Sequence, residues 1–141
     1  MIKIKIFTIG KNKETWLQEA LVEYARRLSA FYSIEWILAK SNVQLEEFSK
    51  KEGKYIALDP QGKLLDSDQF AEWLPQLATH FNSRLNFVIG GPDGLTSLLR
   101  SKASHLWSLS PLTFTHQITR IILLEQLYRA YEINRGSKYH K

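Results

Sequence analysis

Apolar and polar residues alternate at the start of the chain. Over residues 2–10 (IKIKIFTIG), Ile2, Ile4 and Ile6 share one face, which predicts a strand ending at a glycine. The spacing then widens to three and four: Leu17, Leu21, Tyr24 and Leu28 predict a helix ending near Phe31. Asn12 is its expected cap, with Glu14 in the favourable first turn. Residues 33–39 (SIEWILA) read as a second strand, 41–51 as a short, charged, weakly helical stretch, and 55–58 as a third strand. Asp59-Pro60-Gln61-Gly62 has the composition of a turn that stops it. Asp66 and Gln69 stand at capping-box spacing ahead of an amphipathic face of Phe70, Trp73, Leu74, Leu77 and Phe81. Pro75 is expected to kink that helix or shift its boundary. Residues 85–89 are continuously apolar, the pattern of a strand buried on both faces of a parallel sheet.

The glycine-rich loop Gly90-Gly91-Pro92-Asp93-Gly94 follows, then a helix over about 95–103 and a short strand near Trp107. The chain closes on a long helix carrying Ile118, Ile121, Ile122, Leu124, Leu127, Tyr128 and Tyr131. Leu123, Ala130 and Ile133 widen its apolar surface beyond the roughly 100° arc that a monomer's surface helix needs. One side is expected to face the core and the other a partner chain. Strand and helix alternate throughout, so the class is α/β with a largely parallel sheet. No repeat, low-complexity segment or long linker divides it, and residues 1–141 are expected to form one domain.

Composition narrows the chemistry. At 141 residues and 44% hydrophobic, the chain can bury a real core. The absence of cysteine excludes disulfides, iron–sulfur clusters, thiolate zinc sites and a cysteine nucleophile. No apolar run reaches the roughly 18 residues of a membrane span, and Met1 leads into a strand-like segment, so a cytoplasmic address is expected. The net charge is +5, and from Thr115 onward five cations face two anions. A basic end beside an apolar helix suggests a polyanionic partner, RNA first, although a solvated tail on a soluble domain has the same signature.

The loop IGGPDGL leaves the carboxyl end of a buried strand, where open α/β sheets bind ligands. Pro-Asp-Gly also makes a good turn and nothing more. It is neither a dinucleotide fingerprint nor a Walker loop. His80, His105, His116 and His140 stand at no metal-ligand spacing, so no metal is expected. Ser108, Ser110, Thr113 and Thr115 lack a serine-hydrolase elbow and suit capping. Glu125 and Arg129 have the spacing of a helical salt bridge, and Tyr139-His140 the position of a frayed tail.

The segments LDPQGK, SDQFA, NFVIGGPDGL, SLSPLTFTHQITRIILLEQLYRA and KYHK, in this order and spacing, resemble the RlmH family. These are SPOUT-class methyltransferases that modify a pseudouridine of large-subunit ribosomal RNA. The likeness covers the whole chain. Thr115-His116 stands where the family has Pro-His, Lys138-Tyr139-His140-Lys141 where it has Pro-Tyr-His-Arg, and the segment after the second strand is shorter than in some relatives.

The resemblance implies a SPOUT-type α/β knot, with a C-terminal trefoil threading, and a homodimer. It implies S-adenosylmethionine held by Leu58, Gly90 and the run Leu109, Ser110, Pro111, Leu112, Thr113 and Phe114, and methyl transfer to N3 of a pseudouridine in 23S ribosomal RNA, free or in the ribosome. Under it His140 is the expected base, Tyr139 orients it or the uracil, and Arg129 contacts the substrate. Arg120, Arg135, Lys138 and Lys141 are expected at RNA, and His116 in a structural role. A SPOUT methyltransferase acting on transfer RNA, or a non-catalytic RNA-binding or ribosome-assembly protein of this fold, would share these features.

Overall fold

The computed structural model describes residues 1–140; Lys141, with its expected RNA contact, lies outside the described residues. Ten elements alternate: β1 (Ile2–Ile9), α1 (Thr15–Leu28), β2 (Tyr32–Ala39), α2 (Asn42–Glu52), β3 (Ile56–Leu64), α3 (Ser67–His80), β4 (Arg84–Ile89), α4 (Ser97–Lys102), β5 (His105–Ser108) and α5 (His116–Asn134). The strands form one sheet in the order β2-β1-β4-β3-β5, and every pairing is parallel. The α/β class and the parallel sheet agree with the hydrophobic pattern.

Strand alternation sorts side chains to the two faces of the sheet. Ile4, Ile6, Ile56, Leu58, Leu85, Phe87 and Ile89 meet α1, α3 and α5 in the larger core, where Phe70 stacks on Trp107 at 4.2 Å. Phe7, Ala57 and Val88 meet α2 and α4 in a smaller one through Leu45 and Leu99. On α5 the inward residues are Leu123, Leu124, Leu127 and Ala130, each at most 1% exposed. Ile121 packs against this core, whereas Ile118 is 42% exposed and Ile122 half-buried, so the helix keeps an apolar flank outside its own core.

Several local expectations change. β3 does not stop at Leu58. Leu58 and Lys63 both pair with Trp107, so Asp59–Gly62 form an excursion within one strand. Gly62 permits it: a Cβ there would lie 2.7 Å from the Leu106 carbonyl carbon. Helix α3 has the expected capping box and runs unbroken through Pro75. Pro75 has no N–H for the Ala71 carbonyl four residues back; the Asn134 side chain of α5 donates to that carbonyl instead, at 2.9 Å. Asn12 does not cap α1. Glu14 is the N-cap, with no side-chain hydrogen bond, because the Asn12 side-chain oxygen accepts from Arg120.

Candidate active site

Beyond the carboxyl ends of β3, β4 and β5 lies a pocket of about 460 Å³. This is the edge at which parallel α/β sheets bind small molecules, and the volume falls within the range of about 300–1,000 Å³ usual for ligand sites. Leu58, Gly90, Leu109, Ser110, Leu112, Thr113 and Phe114 line it. Pro111, in the same segment, does not. The walls are largely apolar, with loop main chain exposed between them.

Gly90 is indispensable for a reason other than ligand approach. A Cβ built on it would lie 2.5 Å from the Gly94 carbonyl carbon and 2.7 Å from the Leu95 nitrogen. The loop folds back on itself, closed by Gly94 N–H donating to Gly91 C=O at 3.0 Å, with Gly94 at φ +80. Glycine here fixes the shape of the pocket wall.

Two further lining residues, Asp59 and Arg100, are not among the expected cofactor contacts. Asp59 is 5% exposed; one carboxylate oxygen accepts from Arg100 Nε at 2.6 Å and the other from Gln61 N–H at 2.9 Å. This gives a largely apolar pocket a charge pair. An aspartate directly after an apolar strand end was the available signal, but it reads equally well as part of a turn.

On α5, His116 lines the pocket and Arg120 stands one turn behind it. Arg120 does not meet solvent: it is 0% exposed, which corrects its expected place at RNA phosphate. Its Nη2 donates to Ile9 C=O at 2.7 Å and its Nη1 to Lys11 C=O at 3.2 Å and to Asn12. Nη2 also lies 3.2 Å from His116 Nδ1. A guanidinium only donates, so Nδ1 must accept and the neutral ring carries its proton on Nε2. Burial, and then the Arg120 charge, hold the His116 pKa below its usual value.

The tail lies elsewhere on the same helix. Gly136 at φ +74 ends α5, with Ser137 N–H donating to Glu132 C=O and Gly136 N–H to Ile133 C=O, both at 3.0 Å, in a Schellman turn. The chain then folds back rather than fraying. Tyr139 Oη donates to Glu125 at 2.7 Å and its ring meets Tyr128 edge-on at 4.9 Å. Burial, followed by the Glu125 hydrogen bond, pushes the Tyr139 pKa up to about 12. Arg129 bridges Glu125 at 3.2 Å and lies 3.0 Å from His140 Nδ1. The only lone pair of a neutral His140 is thus engaged by Arg129. Its Nε2–H faces outward, with Asp68 at 3.6 Å, and is a donor rather than a base in this arrangement.

Arg135 is paired with buried Glu132 at 2.8 Å, and the Ser137 and Arg135 contacts hold that carboxyl below its usual range. Lys138 is exposed. Among the described residues, no tail side chain lines the pocket. Glu125 and Arg129 lie about 9 and 15 Å further along the helix axis than Thr119, the last lining residue on α5, at 1.5 Å per residue. The pocket and the basic tail are therefore separate features within one chain. No helix among the described residues is long and apolar enough to cross a membrane.

A parallel α/β sheet with a glycine-walled pocket at its carboxyl edge, closed by the segment leading into a C-terminal helix, defines an α/β protein built to bind a small ligand. A family model described as "Predicted SPOUT methyltransferase" matches residues 2–140. The chain is 50% identical to ribosomal RNA large subunit methyltransferase H of Protochlamydia amoebophila, over the full length of both. It is 40% identical to the protein of that name from Exiguobacterium sibiricum, covering 99% of this chain and all of the relative, and 38% to that of Desulfitobacterium hafniense, covering all of both. The chain belongs to the SPOUT methyltransferase family.

Proposed function

We propose that this chain transfers a methyl group from S-adenosylmethionine to N3 of a pseudouridine in large-subunit ribosomal RNA, working as a homodimer. The observation that carries the reading is the pocket: seven of the eight residues expected to hold the cofactor line one cavity, in a chain similar along its whole length to proteins named for methylating that RNA.

The residues fit the cofactor. Leu58, Leu109, Leu112 and Phe114 offer apolar surface to an adenine ring, loop main chain offers hydrogen bonds to its edge, and the Asp59–Arg100 pair offers both charges to an amino-acid end. When bound, the sulfonium supplies an activated methyl group, so the chain's own task is alignment and removal of the N3 proton. Alignment contributes several kcal/mol. Tyr139, His140 and Arg129 are proposed to meet the uracil, with Lys138, Lys141 and Arg135 at the RNA backbone. For His140 to act as the base, the contact with Arg129 has to open. As a donor it serves without that exchange, its Nε2–H placed to hold a carbonyl beside N3 as charge develops there.

The homodimer is supported by the exposed flank of α5 around Ile118 and by Leu112 and Trp16, 69% and 50% exposed. A partner's tail is then the source of the residues that the pocket lacks within one chain. Methyl transfer from labelled S-adenosylmethionine to assembled ribosomes, free large subunits and transfer RNA tests the reading. Transfer to the ribosomal substrates is expected, and transfer to transfer RNA alone overturns it. A non-catalytic protein would give neither.

A further inference from the structure

The second sheet face is covered over only half its length. Helices α2 and α4 reach Phe7, Ala57 and Val88, whereas the upstream positions of the same face are polar and open. Here a concavity of about 690 Å³ is floored by β1 and β4, on the edge of the sheet opposite the cofactor pocket. Along β4, Arg84 and Ile89 mark the two ends, about 17 Å apart at 3.3 Å per residue.

Charge on this floor is unevenly placed. Glu35 on β2 and Glu52 at the end of α2 gather the negative charge at one rim, where Glu52 takes Lys5 at 2.6 Å. Lys3, Arg84 and Lys54 occupy the centre and the other rim, are exposed, and have no carboxylate partner among the described residues. Lys3 and Arg84 are register neighbours on adjacent strands, two like charges side by side. Such a pair destabilises an empty sheet and is relieved by a bound anion. His80, at the close of α3, adds no negative charge.

The loop into β4 carries a second signal. Asn82 and Ser83 both hold positive φ, 55 and 61, although neither is glycine. Serine in this region is strained, and such strain gathers where a binding surface needs a particular backbone. Here it sets the start of β4, with Ser83 C=O accepting from Lys3 N–H at 2.9 Å.

We propose that Lys3, Lys54 and Arg84 form an anchoring surface for the sugar-phosphate backbone of ribosomal RNA, remote from the reacting base. The proposal rests on the ribosomal substrate reading above and extends it. A surface about 17 Å from the pocket edge lies beyond any single nucleoside, so contact there requires a polynucleotide substrate.

The test is the triple variant Lys3→Gln/Lys54→Gln/Arg84→Gln, with far-UV circular dichroism and melting as checks on the fold. Its KM for large ribosomal subunits is expected to rise about tenfold or more, with the calorimetric affinity for S-adenosylmethionine unchanged. The slope of log K against log salt for subunit binding should flatten by about 0.7–0.9 for each phosphate that is no longer neutralised. An unchanged KM and salt slope overturn the proposal. Filter retention of labelled large-subunit RNA reads the surface without turnover, so failure of wild-type methyl transfer counts against the substrate reading alone. Retention of phosphatidylserine vesicles instead of RNA, dependent on the same three cations, also overturns it.

Discussion

Arg120 enters the interior from α5 and is kept there by main-chain carbonyls at the end of β1, so its work is to join the first strand to the last helix. Arg120→Met would leave those acceptors buried and unpaired and is expected to cost about 3 kcal/mol, read as a lowered melting temperature. A phosphate contact would instead spare the melt and weaken RNA binding. His116, coupled to the same guanidinium, gives a pH signature. Its pKa is below the ordinary 6.5 in the folded chain, so the unfolded chain takes up the proton first as pH falls. Stability from this group is complete above about pH 6.5 and declines below it. His105, lowered by burial and by His80 and Lys63, adds in the same direction. Melting temperature is therefore expected to fall as pH drops below about 6.5, and less steeply in His116→Gln. At Gly90 even one methyl group meets loop backbone. Gly90→Ala should abolish calorimetric binding of S-adenosylmethionine by displacing the loop, while far-UV circular dichroism stays native.

Among the elements, α3 and α5 are linked where a local rule is broken. Asn134→Ala should cost about 1 kcal/mol by freeing the Ala71 carbonyl, and much less in a Pro75→Ala background, where a restored N–H takes that carbonyl. Chemical denaturation of the four proteins of this cycle measures the coupling. The example also marks what was legible in the sequence. The period of the apolar residues gave the strands and helices, and the capping box of α3 stood at its expected residues, because these depend on neighbours in the chain. The excursion at Asp59–Gly62, the Asn12–Arg120 contact and the Asn134 rescue depend on partners about 40 to 110 positions away, and no local pattern encodes them. The candidate pocket was legible only through resemblance, since a glycine loop alone reads equally as a turn. The basic tail was legible as chemistry but not as geometry: composition showed its cations, not the Glu125 and Arg129 contacts that hold it.

For the whole molecule, the separation of tail from pocket makes a composite arrangement testable. Deleting residues 138–141 is expected to leave S-adenosylmethionine binding largely intact and remove methyl transfer to ribosomes. A mixed dimer of one tail-deleted chain and one Gly90→Val chain then separates two geometries. If tails act across the dimer, the intact tail serves the intact pocket and about half the activity returns; if each tail serves its own pocket, none does. Full activity of the simple deletion would show that the tail has no part in the reaction.

The place of α5 in the larger core has a consequence for how the chain is made. Leu123, Leu124, Leu127 and Ala130 close the core shared by α1 and α3, and Arg120 ties the helix to the end of β1. During synthesis the N-terminal helices emerge before this cover exists. Closure of the larger core therefore waits for the last helix. Premature termination anywhere ahead of α5 is expected to yield a protease-sensitive fragment rather than a smaller folded protein.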